Sequence, residues 1–220
     1  MKTSTRRYEQ EPAARPFAVA HSFDRLSLLD FNLFSIKVKM ATSESKIDEK
    51  PVTDGLKKLA EKESFRLRVI GTPSYECPPV DVEAMRWRAD TELEDLSEID
   101  IGMMPLPDDR WSKGKCGLKA LQFMALGIPT ICSPVGVNTD IIQDDQNGFI
   151  AGTEDEWVEK LTRLLRSAEL RRRLGDAGRA TVEEKYSAIT QTPRVYEIFK
   201  SVLRDVSVPV DARVQSRSAG

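Results

Sequence analysis

The chain has 220 residues, 40% hydrophobic and 31% charged, which suits one Rossmann-sized core in an ordinary soluble protein. Its 33 basic and 35 acidic residues leave a net charge of −2, so no global field recruits nucleic acid and any anion site has to be local. Cys77, Cys116 and Cys132, odd in number and without metal-type spacing, read as free thiols of a reducing cytoplasm and give no basis for a metal site.

Residues 1–51 mix a basic start, a Pro/Ala patch, an apolar run from Phe23 to Met40 and the polar stretch Ala41 to Lys50, with no steady period of 2 or 3.6. Leu26, Leu28, Leu29, Phe31, Leu33, Phe34 and Ile36 fit one or two strands or a cover for a sheet, but Asp24, Arg25, Asp30 and Lys37 interrupt them, so this segment stays unassigned. No stretch supplies the ~20 apolar residues of a membrane span, nor the apolar block of a signal peptide. His21, the one histidine, lies here, which removes histidine acid–base chemistry from the regular part of the chain.

From Val52 the pattern is regular. Leu56, Leu59 and Ala60 mark a helix, Phe65 to Ile70 a strand, Gly71-Thr-Pro73 a turn and Asp81 to Trp87 a short strand. Leu93, Leu96 and Ile99 share a face of a helix over Thr91–Ile99, which leads into an apolar strand, Ile99 to Met104, stopped by Pro105 and Pro107. A loop, Asp108 to Gly117, precedes a helix over Cys116–Leu126, ended by Gly127. Ile128 to Cys132 is a second buried strand, Ser133 to Thr139 a loop, and a short helical piece begins near Asp140. Thr153 caps a helix with Glu154, Asp155 and Glu156 in its first turn and Trp157, Leu161, Leu164 and Leu165 along its apolar stripe, where Trp157 reads as core. Ala168–Lys185 and Thr192–Asp205 are two further amphipathic helices, with Arg171 to Arg173 as a solvated face, and Val206 to Gly220 is a polar, disordered tail.

The alternation predicts an α/β fold, a Rossmann-like parallel sheet flanked by helices with extra C-terminal helices, over residues 52–205 between an unassigned segment 1–51 and a tail 206–220. Ligands of such sheets sit beyond the carboxyl ends of the strands. The loop there carries Gly114 and Gly117, which let the backbone approach a ligand, with Lys113, Lys115 and Lys119 for positive charge and first-turn amides for an anion. From spacing alone two readings stay open: a phosphate cradle, or ordinary loop glycines beside solvent-facing lysines. For Cys116 the plain reading is a free thiol, and a nucleophile activated by the helix start and lysines is the other.

Asp100-Ile-Gly-Met-Met-Pro-Leu106, Gly114 to Thr130, Ser133 to Asp140 and Asn147-Gly-Phe-Ile150, in that order, resemble the C-terminal half of a GT-B glycosyltransferase of the retaining family 4, the glycosyl transferases group 1. The resemblance, which extends over roughly Val52 to Arg204, implies a domain that binds a nucleotide-diphosphate sugar as donor substrate, with no cofactor and no obligatory metal, for retaining transfer to an unknown acceptor. In that family two glutamates bracket the helix start, one toward the donor sugar and one toward the ribose; here they fall on Gly114 and Gln122. Gln122 keeps the means to hold ribose hydroxyls, whereas Gly114 leaves the sugar to Lys115, to the amides of Cys116, Gly117 and Leu118, or to Asp108 and Asp109. A further family glutamate falls on Asp140. Lys115 and Lys119 are the candidates for stabilising the leaving diphosphate, because the family's upstream Arg/Lys pair has no counterpart before Val52. The N-terminal acceptor domain also lacks a counterpart, so the resemblance implies a truncated chain that works with a separate acceptor-binding domain or chain, and the free cysteines imply a cytoplasmic one. The alternative is a catalytically inert GT-B fragment serving as a nucleotide-binding or interaction module.

Overall fold

The computed structural model describes residues 36–41 and 50–205. Strands β1 (Ile36–Ala41), β2 (Phe65–Ile70), β3 (Asp81–Met85), β4 (Ile101–Met104), β5 (Thr130–Cys132) and β6 (Phe149–Ile150) form one sheet in the order β3-β2-β1-β4-β5-β6. Every pairing is parallel, with Val38 opposite Leu67 on one side and Ile101 on the other. The chain builds from the centre to one edge and then from the centre to the other, so the direction of winding reverses between β1 and β4, and a crevice opens at their carboxyl ends.

Eight helices occur among the described residues: α1 (Lys50–Ala60), α2 (Glu92–Ser97), α3 (Arg110–Lys113), α4 (Leu118–Ala125), α5 (Asn138–Ile141), α6 (Glu154–Arg166), α7 (Ala168–Lys185) and α8 (Ala188–Asp205). Period-2 strands sort them into layers. Leu67, Val69, Ile101 and Met103 pack with Val52, Leu56 and Leu59 of α1 and Trp157, Leu161 and Leu164 of α6. Met104 and Cys132 belong to a second cluster with Ala120 and Met124 of α4, and Phe123 joins Leu96 and Ile99 beside α2. Gly102 seats α4 directly on the sheet, since a Cβ there would lie 2.5 Å from the Phe123 ring. Thr153 and Glu156 form a complete capping box on α6, and Trp157 is 1% exposed, as core.

Several expected boundaries move. Among the described residues the sheet starts at Ile36, inside the segment left unassigned before Val52, and β1 pairs on both sides; that parallel pairing outweighs its alternating lysines. Strand β4 starts at Ile101 because the Ile99 N–H is spent on a turn to Leu96 O at 3.2 Å. The stretch expected as open loop after β4 contains α3, and the following helix starts at Leu118, with Gly117 as its cap. The last helix begins at Ala188 rather than Thr192, because Ser187 Oγ accepts from the Thr190 N–H at 3.3 Å and supplies a start upstream of Pro193. Of the arginine run, Arg172 is solvated, but Arg171 donates to the terminal α6 carbonyls of Leu164 (2.7 Å) and Leu165 (3.2 Å), and Arg173 pairs with Asp145. The expectations for His21, for Leu26 to Phe34 and for the tail Val206–Gly220 lie outside the described residues.

Candidate functional site

Parallel pairing puts the carboxyl ends of β4 and β5 side by side, and their loops are tied together there. Ser133 N–H donates to Met104 O at 3.2 Å, and Leu106 N–H donates to Ser133 Oγ at 3.0 Å. Beyond Pro107, Asp109 caps α3 by accepting the Ser112 N–H at 2.6 Å. That backbone bond, helped by the Lys115 charge, holds the Asp109 carboxyl below the usual range.

Gly114 closes α3 at φ −83°, and Gly117 caps α4 in the left-handed region at φ 69°, ψ 14°. The first hydrogen bond of α4 runs from the Leu121 N–H to Gly117 O at 3.1 Å, so the amides of Leu118, Lys119 and Ala120 stand ahead of the helical ladder with partial positive charge. This turn rests on the loop and helix after β5. A Cβ on Gly117 would lie 2.4 Å from Ile141 Cδ1 and 3.2 Å from Val137 Cγ2, and one on Gly136 would lie 2.9 Å from Lys113 O. Asn138, fully buried, donates to Ser133 O at 3.0 Å and locks the second loop to the same strand end.

The candidate residues fall into two groups around this turn. Gly114, Lys115, Cys116, Gly117 and Leu118 run through it, with the Cys116 thiol and the Leu118 side chain exposed. Asp140 lies exposed in the first turn of α5, the helix that receives Gly117. Lys119 and Gln122 turn instead toward α2. Lys119 Nζ is 2.9 Å from Glu92 Oε1, and Gln122 Nε2 is 3.5 Å from the same oxygen. Lys119, expected as a cation for a leaving group, is thus engaged by a carboxylate in this structure. Lys113 similarly pairs with Asp108 at 2.7 Å, an exposed contact worth at most ~1 kcal/mol.

Sequence reading missed Glu92. Its carboxyl is held below the usual range, first by the Lys119 hydrogen bond, against desolvation, with help from the Trp87 and Gln122 side chains. Its only signal in the sequence is a place in the first turn after Thr91; its partners come from another helix. The Gln122 Oε1 is buried and finds no hydrogen-bond partner among the described residues. No group of three His, Cys, Asp or Glu among the described residues could hold a metal ion, and none of their helices is long and apolar enough to cross a membrane.

Comparison with known proteins converges on this region. The glycosyl transferases group 1 family matches residues 106–181, from the loop after β4 into α7. N-acetyl-alpha-D-glucosaminyl L-malate synthase of Bacillus anthracis is 30% identical over 95 residues, 42% of this chain, and the match spans about a quarter of that relative, 25% of its length. Among solved structures, the C-terminal domain of a glycosyl transferase group 1 family protein from Francisella tularensis superposes with a TM-score of 0.56 at 19% identity, covering 70% of this chain and 87% of that one. Anabaena HepE in complex with UDP-glucose gives a TM-score of 0.60 at 14% identity, covering 76% of this chain and 49% of that one. The chain carries a glycosyl transferases group 1 segment over residues 106–181, built on the C-terminal, Rossmann-like half of a GT-B fold.

Proposed function

We propose that this domain binds a nucleotide-diphosphate sugar at the carboxyl edge of its sheet and presents it for retaining transfer to an acceptor held by a separate domain or chain. The observation that carries the reading is the turn at Gly117, where a left-handed glycine, seated on α5, leaves the amides of Leu118, Lys119 and Ala120 at the crevice edge. In this reading those amides, with Cys116 and Gly117, hold the diphosphate, and Lys115 adds the local charge that stabilises it as a leaving group. Gln122, one turn along α4, holds the ribose, and Asp140 faces the donor from α5. Lys119 joins the leaving group only by sharing its charge with Glu92. The complex of a structural neighbour with UDP-glucose supports the donor class. The free thiols of Cys77, Cys116 and Cys132 support a cytoplasmic setting.

A second reading, an inert GT-B fragment with a nucleotide-binding or interaction role, is favoured by two observations. Gly114 offers no side chain to a sugar, and the Lys119 amine is committed to Glu92. Calorimetric titration with UDP, GDP, UDP-glucose and GDP-mannose separates the two. Saturable binding that weakens about tenfold or more in Lys115→Ala and holds in Lys57→Ala, on α1, is the expected result. Absence of binding at millimolar ligand, or equal affinity in both variants, overturns the donor reading.

A further inference from the structure

Among the described residues, helix α8 leaves its apolar face uncovered. It packs on α7, yet none of its residues from 188 to 203 is buried. Val195, Tyr196, Phe199, Val202 and Leu203 are 46–72% exposed, and Ile189 is 89% exposed. At about 3.6 residues per turn these six line one side of the helix, while Arg194, Glu197 and Ser201 lie on the other. Together they present on the order of 800 Å² of apolar surface, beyond the ~300–600 Å² of the largest patch on a typical monomer and about the share of each partner in a standard interface. Pro193 gives no N–H to the helical ladder, so the turns after it form a short helix that is marginal in water while its apolar side stays wet.

Two observations select what covers this face. The apolar positions are symmetric about Phe199: Tyr196 and Val202 stand three residues to either side of it, Val195 and Leu203 four. Such a stripe is complementary to itself run in the opposite direction, which is what a two-fold interface requires. An antiparallel copy crossing at Phe199 sets Tyr196 facing Val202 and Val195 facing Leu203 across the axis, each contact made twice. The charges point away from a lipid surface, whose helices carry a face rich in Lys and Arg. Here Arg194, Lys200 and Arg204 stand against Glu197 and Asp205, and Lys200 Nζ is held by Glu197 Oε1 at 3.0 Å beside the Tyr196 ring. We propose that α8 is a dimerisation helix: two copies of this chain associate through an antiparallel, two-fold pairing of their α8 stripes about Phe199. The pairing is independent of whether the donor site binds a nucleotide.

The test is analytical ultracentrifugation of the intact chain across micromolar concentrations, where the wild type should approach twice 24.7 kDa. Phe199→Glu places a charge at the axis from both copies and should weaken dimerisation at least about thirtyfold, whereas Ser201→Glu, the same charge on the far side of the helix, should leave it within about threefold. Cross-linking reads the geometry, with the exposed thiol removed by Cys116→Ser. Under mild oxidation Phe199→Cys in that background should give a disulfide-linked dimer. Ile189→Cys should not, because antiparallel pairing about Phe199 holds the two 189 positions roughly 30 Å apart. All four α8 positions are exposed, and thermal melting checks that each variant keeps its fold. A wild type that stays monomeric at every concentration overturns the proposal, including one that binds anionic vesicles instead. So does a dimer that Phe199→Glu leaves intact, or one that cross-links through Ile189→Cys.

Discussion

Replacing Gly117 with alanine should destabilise the domain by about 2–4 kcal/mol. Two separate effects add. The residue sits at φ 69°, ψ 14°, where an L side chain costs roughly 1–2 kcal/mol. The new methyl would also stand 2.4 Å from Ile141 Cδ1 and 3.2 Å from Val137 Cγ2. Overpacking of this kind costs about 1–3 kcal/mol, and the lower half applies because Ile141 Cδ1 is the mobile end of its side chain. For a domain of this size the melting temperature should fall by roughly 5–12 °C, read by circular dichroism at 222 nm. Ile141→Val tests the partition. It costs about 0.5–1.5 kcal/mol alone, yet it removes the atom the new methyl would strike. In that background Gly117→Ala should keep its backbone part and the milder contact with Val137 Cγ2, giving a favourable coupling of about 1 kcal/mol in a double-mutant cycle. Gly114→Ala is the control: at φ −83°, with its nearest neighbour Trp111 O at 3.5 Å, it should shift stability by no more than ~0.5 kcal/mol. Strict additivity of the two substitutions would refute the packing argument, and a Gly117→Ala effect as small as that of Gly114→Ala would refute the whole assignment of the turn.

Thr153→Ala removes the cap of α6 and should lower stability by about 1 kcal/mol, some 2–4 °C in melting temperature, with Thr153→Ser nearly neutral; equal losses in both variants would contradict the capping role. Cys116 is exposed, whereas Cys77 and Cys132 are buried and desolvation raises both their thiol pKa values. A disulfide reagent at pH 8 should therefore titrate one thiol rapidly and the other two only in denaturant, and Cys116→Ser should abolish the fast phase. Two fast thiols in the wild type would show that one of the buried cysteines opens readily.

What the sequence determined by itself was the local grammar. Helices α1, α6 and α7 announce themselves through apolar periodicity and a Thr153 cap, because each buries one face and needs no distant partner to specify its type, and β2 does so as a short apolar run buried on both faces. Gly114 and Gly117 mark a turn before α4 in the sequence itself, and the half-fold follows from the resemblance that the segments from Asp100 to Ile150 carry. Strand β1 escaped, since Lys37 and Lys39 give it the pattern of a half-exposed strand while its place is decided by pairing with β2 and β4 at once. Only the tertiary structure set the charges of the site. Lys119 and Gln122 look like solvent-facing residues of α4 until α2 packs beside them and brings Glu92 to within 2.9 and 3.5 Å. Contacts between helices separated by a strand and a loop leave no period in the chain. They arise from the crossovers of the sheet, which fix the neighbours of each helix face only once all the strands have paired.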